Sequence, residues 1–308
     1  MELLLKAVPP FDFGLSASIF PGGDGRTREY EAGTYRQALM LGSRAVLVEL
    51  RSLGSVEEPL LCARIEPDRD LAQGAAQIEG VLRRLFNLDL DLASFYQATK
   101  ADRVLSYLSK SLRGLKSPST ATAFEALILS IVEQQISLKV AWSLQGRMIE
   151  RFGESLTWEG RTYNAFPQPE KLALASREDL RACGLSYRKS EYIIEASARV
   201  ADGLDLEALK VLADQEIIQE LCRIRGVGVW TAELTMVRGM QRFDAFPAQD
   251  LGLRRTIAHY YHHDRAISAE EARHTAEAWK GWRGLAGFYL IAAEQRGIKV
   301  PPGGRTHK

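Results

Sequence analysis

In this chain of 308 residues a glycine turn and a carboxylate stand at a spacing that could do chemistry. Gly226-Val227-Gly228 separates two stretches of helical period, with Ile217, Ile218, Leu221 and Ile224 on one apolar face before it and Ala232, Met236 and Val237 after it. Free amides at the start of the second helix, expected near Val229, can hold an anion, and two glycines let it approach with no Cβ in the way. A tight helix connection that binds nothing would show the same pattern. A dinucleotide site would not, because this turn follows a helix and Thr231 stands where a third glycine is needed. Twenty-two residues after Gly228, Asp250 opens the helix LGLRRTIAHYY. An Asp there is an ordinary N-cap. Fixed at a helix start, it can equally face a developing positive charge or orient a water.

Other groups offer less. Asp244 competes for the acidic role but precedes an apolar run and not a helix start. His259, His262 and His263 have a spacing that could present two imidazoles to a metal, yet they fall at a helix end, where histidine is favoured by the dipole alone. Of Arg254 and Arg255, one can reach a phosphate while the other is solvated. Cys62, Cys183 and Cys222 are too few and too scattered for a disulfide framework, a zinc site or an iron–sulfur cluster. A reducing, cytoplasmic setting is expected.

The elements that must position these groups divide the chain. From residue 2 to about 66 the pattern is strand-like, with LLLKAV, YRQALML, RAVLVEL and PLLCARIEP separated by turns such as PGGDG. Phe11 and Phe13 are expected in the core there. From Asp70 the period becomes helical, beginning with DLAQGAAQIEGVLRRLFNL, and no further strand is expected. Helices follow near 101–109, 122–134, 137–151, 169–175, 187–201, 214–224, 229–240, 250–261, 269–278 and 282–296. Thr122 with Glu125, and Ser268 with Glu271, have capping-box spacing. SLRGLKSPST, at 111–120, reads as a hinge or a plain connection.

Composition sets limits. Forty Lys+Arg against 39 Asp+Glu exclude a strongly basic arm as the basis of any nucleic-acid binding. The balance shifts from −3 over residues 1–100 to +4 over 101–308, a weak preference for a polyanion on the C-terminal part. No stretch approaches the apolar length of a membrane span.

The pair GVGVWTA and FPAQD at this spacing resembles the helix-hairpin-helix DNA glycosylase superfamily. FEALILSIVEQQIS is similar to the helix pair upstream of the hairpin in those enzymes. VPPFDFGLSASIF and EAWKGWRGLAGFYL resemble the opening and the late segment of the 3-methyladenine DNA glycosylase II branch. The resemblance implies an α+β chain, with a small N-terminal antiparallel β-sheet domain with helices over 1–90. An all-α helix-hairpin-helix bundle would follow over 91–308, its two helical subdomains flanking the active-site cleft.

The resemblance also implies roles. Asp250 becomes the catalytic carboxylate, and the amides of Gly226 and Gly228 become phosphate ligands. Gln134, Arg225, Thr231 and Arg254 join the DNA-contacting set. Gln135 falls at the wedge position that fills the stack after a nucleotide is flipped, although a solvated helix-end glutamine would look the same. Trp230 matches a pocket tryptophan able to face a cationic base, and is otherwise a plain core residue. It also stands where strand-cutting members carry a Schiff-base lysine, so a monofunctional enzyme is implied. Main-chain carbonyls of Cys222, Ile224 and Val227 would hold the sodium or potassium ion common in this hairpin, and no cofactor is required. Leu234 and the Ile291-Ala292 pair replace aromatics of the closest branch, which makes the pocket less electron-rich.

The expectation is a monomeric enzyme that binds damaged double-stranded DNA, touches no membrane, and hydrolyses the N-glycosidic bond of alkylated bases of the 3-methyladenine or 7-methylguanine type. Alternatives are excision of oxidised or deaminated bases, and a helix-hairpin-helix protein that binds DNA without catalysis.

Overall fold

The computed structural model describes residues 1–19, 27–67 and 74–301. The PGGDG turn, the start of the first amphipathic helix at Asp70 and the tail from 302 lie outside them.

The fold is α+β. Strands β1 (Glu2–Lys6), β2 (Arg28–Glu31), β3 (Thr34–Leu41), β4 (Arg44–Ser52) and β5 (Leu60–Glu66) form an antiparallel sheet of order β1-β5-β4-β3-β2, with α1 (Phe13–Ser18) between β1 and β2. Register sets Leu39 opposite Val46, Val48 opposite Ile65 and Leu50 opposite Ala63. β4 is buried on both faces, which explains its nearly continuous apolar run. Val46, Val48 and Leu50 pack with Phe11, Phe13 and the face of α2 (Ala75–Leu85), and this core ends at Leu88.

Ala45 and Leu47 point the other way, into a small cluster with Tyr163 and Ala165. Those residues belong to a hairpin, β6 (Ser155–Trp158) and β7 (Arg161–Asn164), which corrects the expectation that strands end at Asp70. Its turn, Glu159-Gly160, takes positive φ at both residues (49° and 76°), the conformation of a two-residue hairpin turn. Four-residue strands are too short for their alternation to stand out from the helical period around them.

The helices build two further cores. One joins α3 (Leu92–Thr99) and α4 (Arg103–Ser111) to the last three helices and also takes in Ile19, just after α1. The other holds α5 (Ala123–Glu133), α6 (Leu138–Phe152), α7 (Pro169–Ala173), α8 (Arg177–Ala182), α9 (Tyr187–Ala201), α10 (Asp214–Cys222) and α11 (Val229–Gly239). α12 (Leu251–Tyr261), α13 (Ala269–Ala276) and α14 (Arg283–Gln295) return to the first. The expected helices are present, their ends shifted by a few residues, and α1, α3 and α8 are additional to them.

Local chemistry fixes the starts. Ser268 and Glu271 form a complete capping box. Thr122 accepts from the Glu125 amide at 3.0 Å, but the Glu125 carboxylate reaches one residue further back, to the Ala121 amide at 3.1 Å. Segment 111–120 is a pinned connection: the Lys116 side chain is buried, and its Nζ donates to Val8 O (2.8 Å) and Leu88 O (2.9 Å). No helix among the described residues is long and apolar enough to cross a membrane.

Candidate active site

The glycine turn joins α10 to α11 as a helical hairpin. Ile217, Leu221 and Ile224 are buried in one core with Ala232 and Met236, so the apolar stripes on either side of the turn close on each other. Gly226 sits at φ +84°, and a Cβ added there would lie 2.2 Å from Cγ of the Tyr192 ring, so chain geometry and packing both require glycine. Gly228 caps α11, and a Cβ there would enter open space. The first amide to return an intrahelical bond is that of Ala232, to Gly228 O at 3.0 Å. The amides before it are the orphan donors of a helix start.

Asp250 is the N-cap of α12. A turn closed by its own amide on Pro247 O (2.8 Å), anchored by buried Phe246 and Ala248, delivers it there. Its two oxygens do different things. Oδ1 accepts from the Leu253 amide at 2.8 Å, while Oδ2 accepts from Trp230 Nε1 at 3.2 Å. The half-buried carboxylate therefore crosses from α12 to α11, and no cation of the described residues pairs with it. Asp244 differs in this respect. Burial alone would raise its pKa, but two Arg283 bonds (2.9 and 2.6 Å) and the Gly281 and Arg283 amides hold it below the usual carboxylate range. That acid is committed to the start of α14.

The loop between α5 and α6 comes up beside the hairpin. Gln135 is exposed at φ +57°, a left-handed position at the loop's tip. Gln134 is half-buried, and its Nε2 donates to Gly226 O (2.8 Å) and to Thr231 Oγ1 (3.0 Å). Buried Thr231 and Gln134 are thus spent on each other, and their bond fixes the loop to the hairpin. Arg225 is exposed, with Nη2 3.3 Å from Glu191 and the guanidinium over the Tyr192 ring at 5.8 Å. Arg254 turns inward, donating to Ile267 O at 3.3 Å, and exposed Arg255 pairs with Glu294 at 3.1 Å.

Main-chain oxygens of Cys222, Ile224 and Val227 are hard donors that suit an alkali cation chemically. Ile224 O accepts from the Val227 amide (3.0 Å), which leaves it a second lone pair. The neighbouring Arg223 carbonyl already takes Arg199 Nη1 at 2.7 Å, so this carbonyl cluster attracts positive charge. The histidines do not converge: His259 bonds Asp264 (2.8 Å), His262 bonds Thr275 (2.9 Å), and the described residues contain no cluster able to hold a metal through side chains. Leu234 is buried and Ile291 partly so, as apolar wall.

Sequence reasoning missed Tyr192, whose ring demands Gly226, and a set of exposed apolar residues at helix starts: Leu138 and Val140 on α6, Val229 on α11 and Leu251 on α12. Leu251, 74% exposed directly after Asp250, is the most conspicuous. Aliphatic residues at the first positions of three helices were a readable signal, since solvent gives them no reason to be there.

Residues 128–281 match the family described as HhH-GPD superfamily base excision DNA repair protein. A DNA-3-methyladenine glycosylase of Bacillus subtilis is 34% identical over 215 residues, covering 70% of this chain and 71% of that one. Among solved structures, a 3-methyladenine DNA-glycosylase from Archaeoglobus fulgidus superposes with a TM-score of 0.83 at 26% identity, over 97% of this chain and 100% of the other. The 8-oxoguanine glycosylase/lyase of Clostridium acetobutylicum, in its apo form, shares the fold with a TM-score of 0.75 at 22% identity, covering 94% and 95%.

Proposed function

Since the chain belongs to the HhH-GPD superfamily of base excision DNA repair proteins, we propose that it is a monofunctional DNA glycosylase that removes alkylated bases from double-stranded DNA. The observation that carries this reading is the state of Asp250. It is oriented by one amide and one indole N–H and has no cationic partner among the described residues, so its charge is available to a substrate.

In this mechanism the duplex backbone lies on the amides of Gly226 and Gly228, with Arg225 exchanging Glu191 for a phosphate. Gln135 enters the stack as the damaged nucleotide swings out, and Leu138 and Val140 border it against the bases. Gln134 and Thr231 keep wedge and hairpin in register. The bond between C1′ and the base nitrogen then breaks, its electron pair leaving with the base. An alkylated purine already carries positive charge and departs neutral, so no general acid is required. Asp250 stabilises the oxocarbenium-like sugar and orients a water whose oxygen bonds C1′, with the released proton passing to the carboxylate or to solvent. The face of Trp230 offers a cationic base a π surface while its N–H stays on Asp250. No lysine stands at position 230, so no Schiff base forms and the strand stays intact. An alkali cation on the hairpin carbonyls would reinforce the phosphate site.

The test is incubation with duplexes carrying 3-methyladenine, hypoxanthine or 8-oxoguanine, half of each sample being treated with alkali. Breaks on the 3-methyladenine duplex only after alkali are expected. Breaks without alkali would contradict the assignment of Trp230, and preference for 8-oxoguanine would contradict the assignment of substrate.

A further inference from the structure

α11 carries a second acidic side chain which the mechanism above does not use. Glu233 lies one turn after Trp230, on the same side of the helix. It is 4% exposed, and burial pushes its carboxyl above the usual range, against the opposing effect of Arg273. Oε1 accepts from Arg273 Nη2 at 2.7 Å, and Oε2 is buried with no hydrogen-bond partner. Arg273 belongs to α13, which packs on α12, the helix that Asp250 caps.

Trp230 to Asp250 and Glu233 to Arg273 are therefore two rungs, one turn apart, joining α11 to the α12–α13 pair. Among the described residues no other side chain of α11 hydrogen-bonds to that pair: Thr231 bonds Gln134 of the neighbouring loop, and Arg238 bonds Glu133 of α5. A buried carboxylate with one oxygen unpartnered stabilises a fold less well than an apolar residue of its size would. What it supplies here is direction, because the charged bond fixes the rotation and depth of α11 against α13. The upper rung, at 3.2 Å between a neutral indole and a carboxylate, is at the long end for such a bond and is the weaker of the two.

We propose that Glu233 and Arg273 are a positioning pair that holds the Trp230 indole on the Asp250 carboxylate. The inference rests on the reading of those two residues as the reactive site, but it makes a claim about geometry that can be measured without turnover.

The indole N–H signals of the five tryptophans are recorded by proton–nitrogen NMR, that of Trp230 being assigned by its disappearance in Trp230→Phe. Single-turnover release from a 3-methyladenine duplex and affinity for an abasic-site duplex are measured alongside. Arg273→Ala should move the Trp230 signal, leave those of the other four in place and slow release at saturating enzyme by between about threefold and about tenfold. Its affinity for the abasic duplex should change by less than about threefold. Arg273→Lys should restore signal and rate in part. Arg265→Ala, which removes an exposed pair with Glu271 of the same helix, should change neither. A Trp230 signal unmoved in folded Arg273→Ala overturns the proposal. Should that variant not fold, an unmoved signal in both Arg273→Lys and Glu233→Gln does the same. If the wild type releases no base yet the signal moves, the glycosylase reading fails while the positioning pair stands.

Discussion

Each oxygen of Asp250 has its own donor, so geometry and charge can be separated by substitution. An asparagine at 250 can still accept from the Leu253 amide, whereas the indole bond and the negative charge are lost. Trp230→Phe isolates the indole contribution: the ring remains as a stacking surface, and loss of the N–H should slow release roughly tenfold with binding retained, as single-turnover kinetics would show. Asp244→Asn should behave oppositely. It removes the charged partner that Arg283 has beside Glu277 and should destabilise the fold by on the order of 1 to 3 kcal/mol in urea titration, with base release per folded molecule unchanged. The sequence presented two acids and a tryptophan in the hairpin, and of the acids only Asp250 stood at a helix start. It could not reveal that Arg254 bonds Ile267, or that Gln134 and Thr231 bond each other, because those partners lie 13 and 97 residues apart and meet only through packing.

Gly226 shows how an element's demands can be read only in part from its chain. A glycine between two helices announces a turn; that Tyr192 of α9 lies across it does not follow from any local pattern. Gly226→Ala meets both a left-handed backbone and the ring, and should cost at least about 2 kcal/mol by urea unfolding. Gly228→Ala meets open space, so it should leave stability within about 1 kcal/mol of wild type while weakening duplex binding where the phosphate would sit. Helix starts were legible because Ser, Thr and Asp caps act within one turn. The β6–β7 hairpin was not, since its burial comes from Ala45 and Leu47 on a strand more than a hundred residues earlier.

Two consequences belong to the molecule as a whole. Glu125, beside Arg28 and Gln37 in a cleft between the sheet and α5–α6, has its carboxyl pushed up to about 7 by burial. With a folded value above the unfolded one, the native state keeps a proton that the unfolded chain has released, so its contribution to stability is lost as pH rises through about 7. From about pH 5.5 to about pH 8.5 the wild type should lose about 2 kcal/mol that Glu125→Gln does not lose, as urea titrations at the two pH values would reveal. A formal charge of +1 implies that affinity for DNA comes from a few phosphate contacts plus the wedge. The salt dependence of binding should then correspond to well under about ten phosphates. The account as a whole turns on whether the charge at position 250 acts on the sugar. Wild type and Asp250→Asn are compared at saturating enzyme on one 3-methyladenine duplex, with affinity for an abasic-site duplex measured in parallel. The asparagine variant should melt within a few degrees of wild type, bind comparably and release base at least about 100-fold more slowly; release at the wild-type rate from that folded, DNA-binding variant would contradict the account.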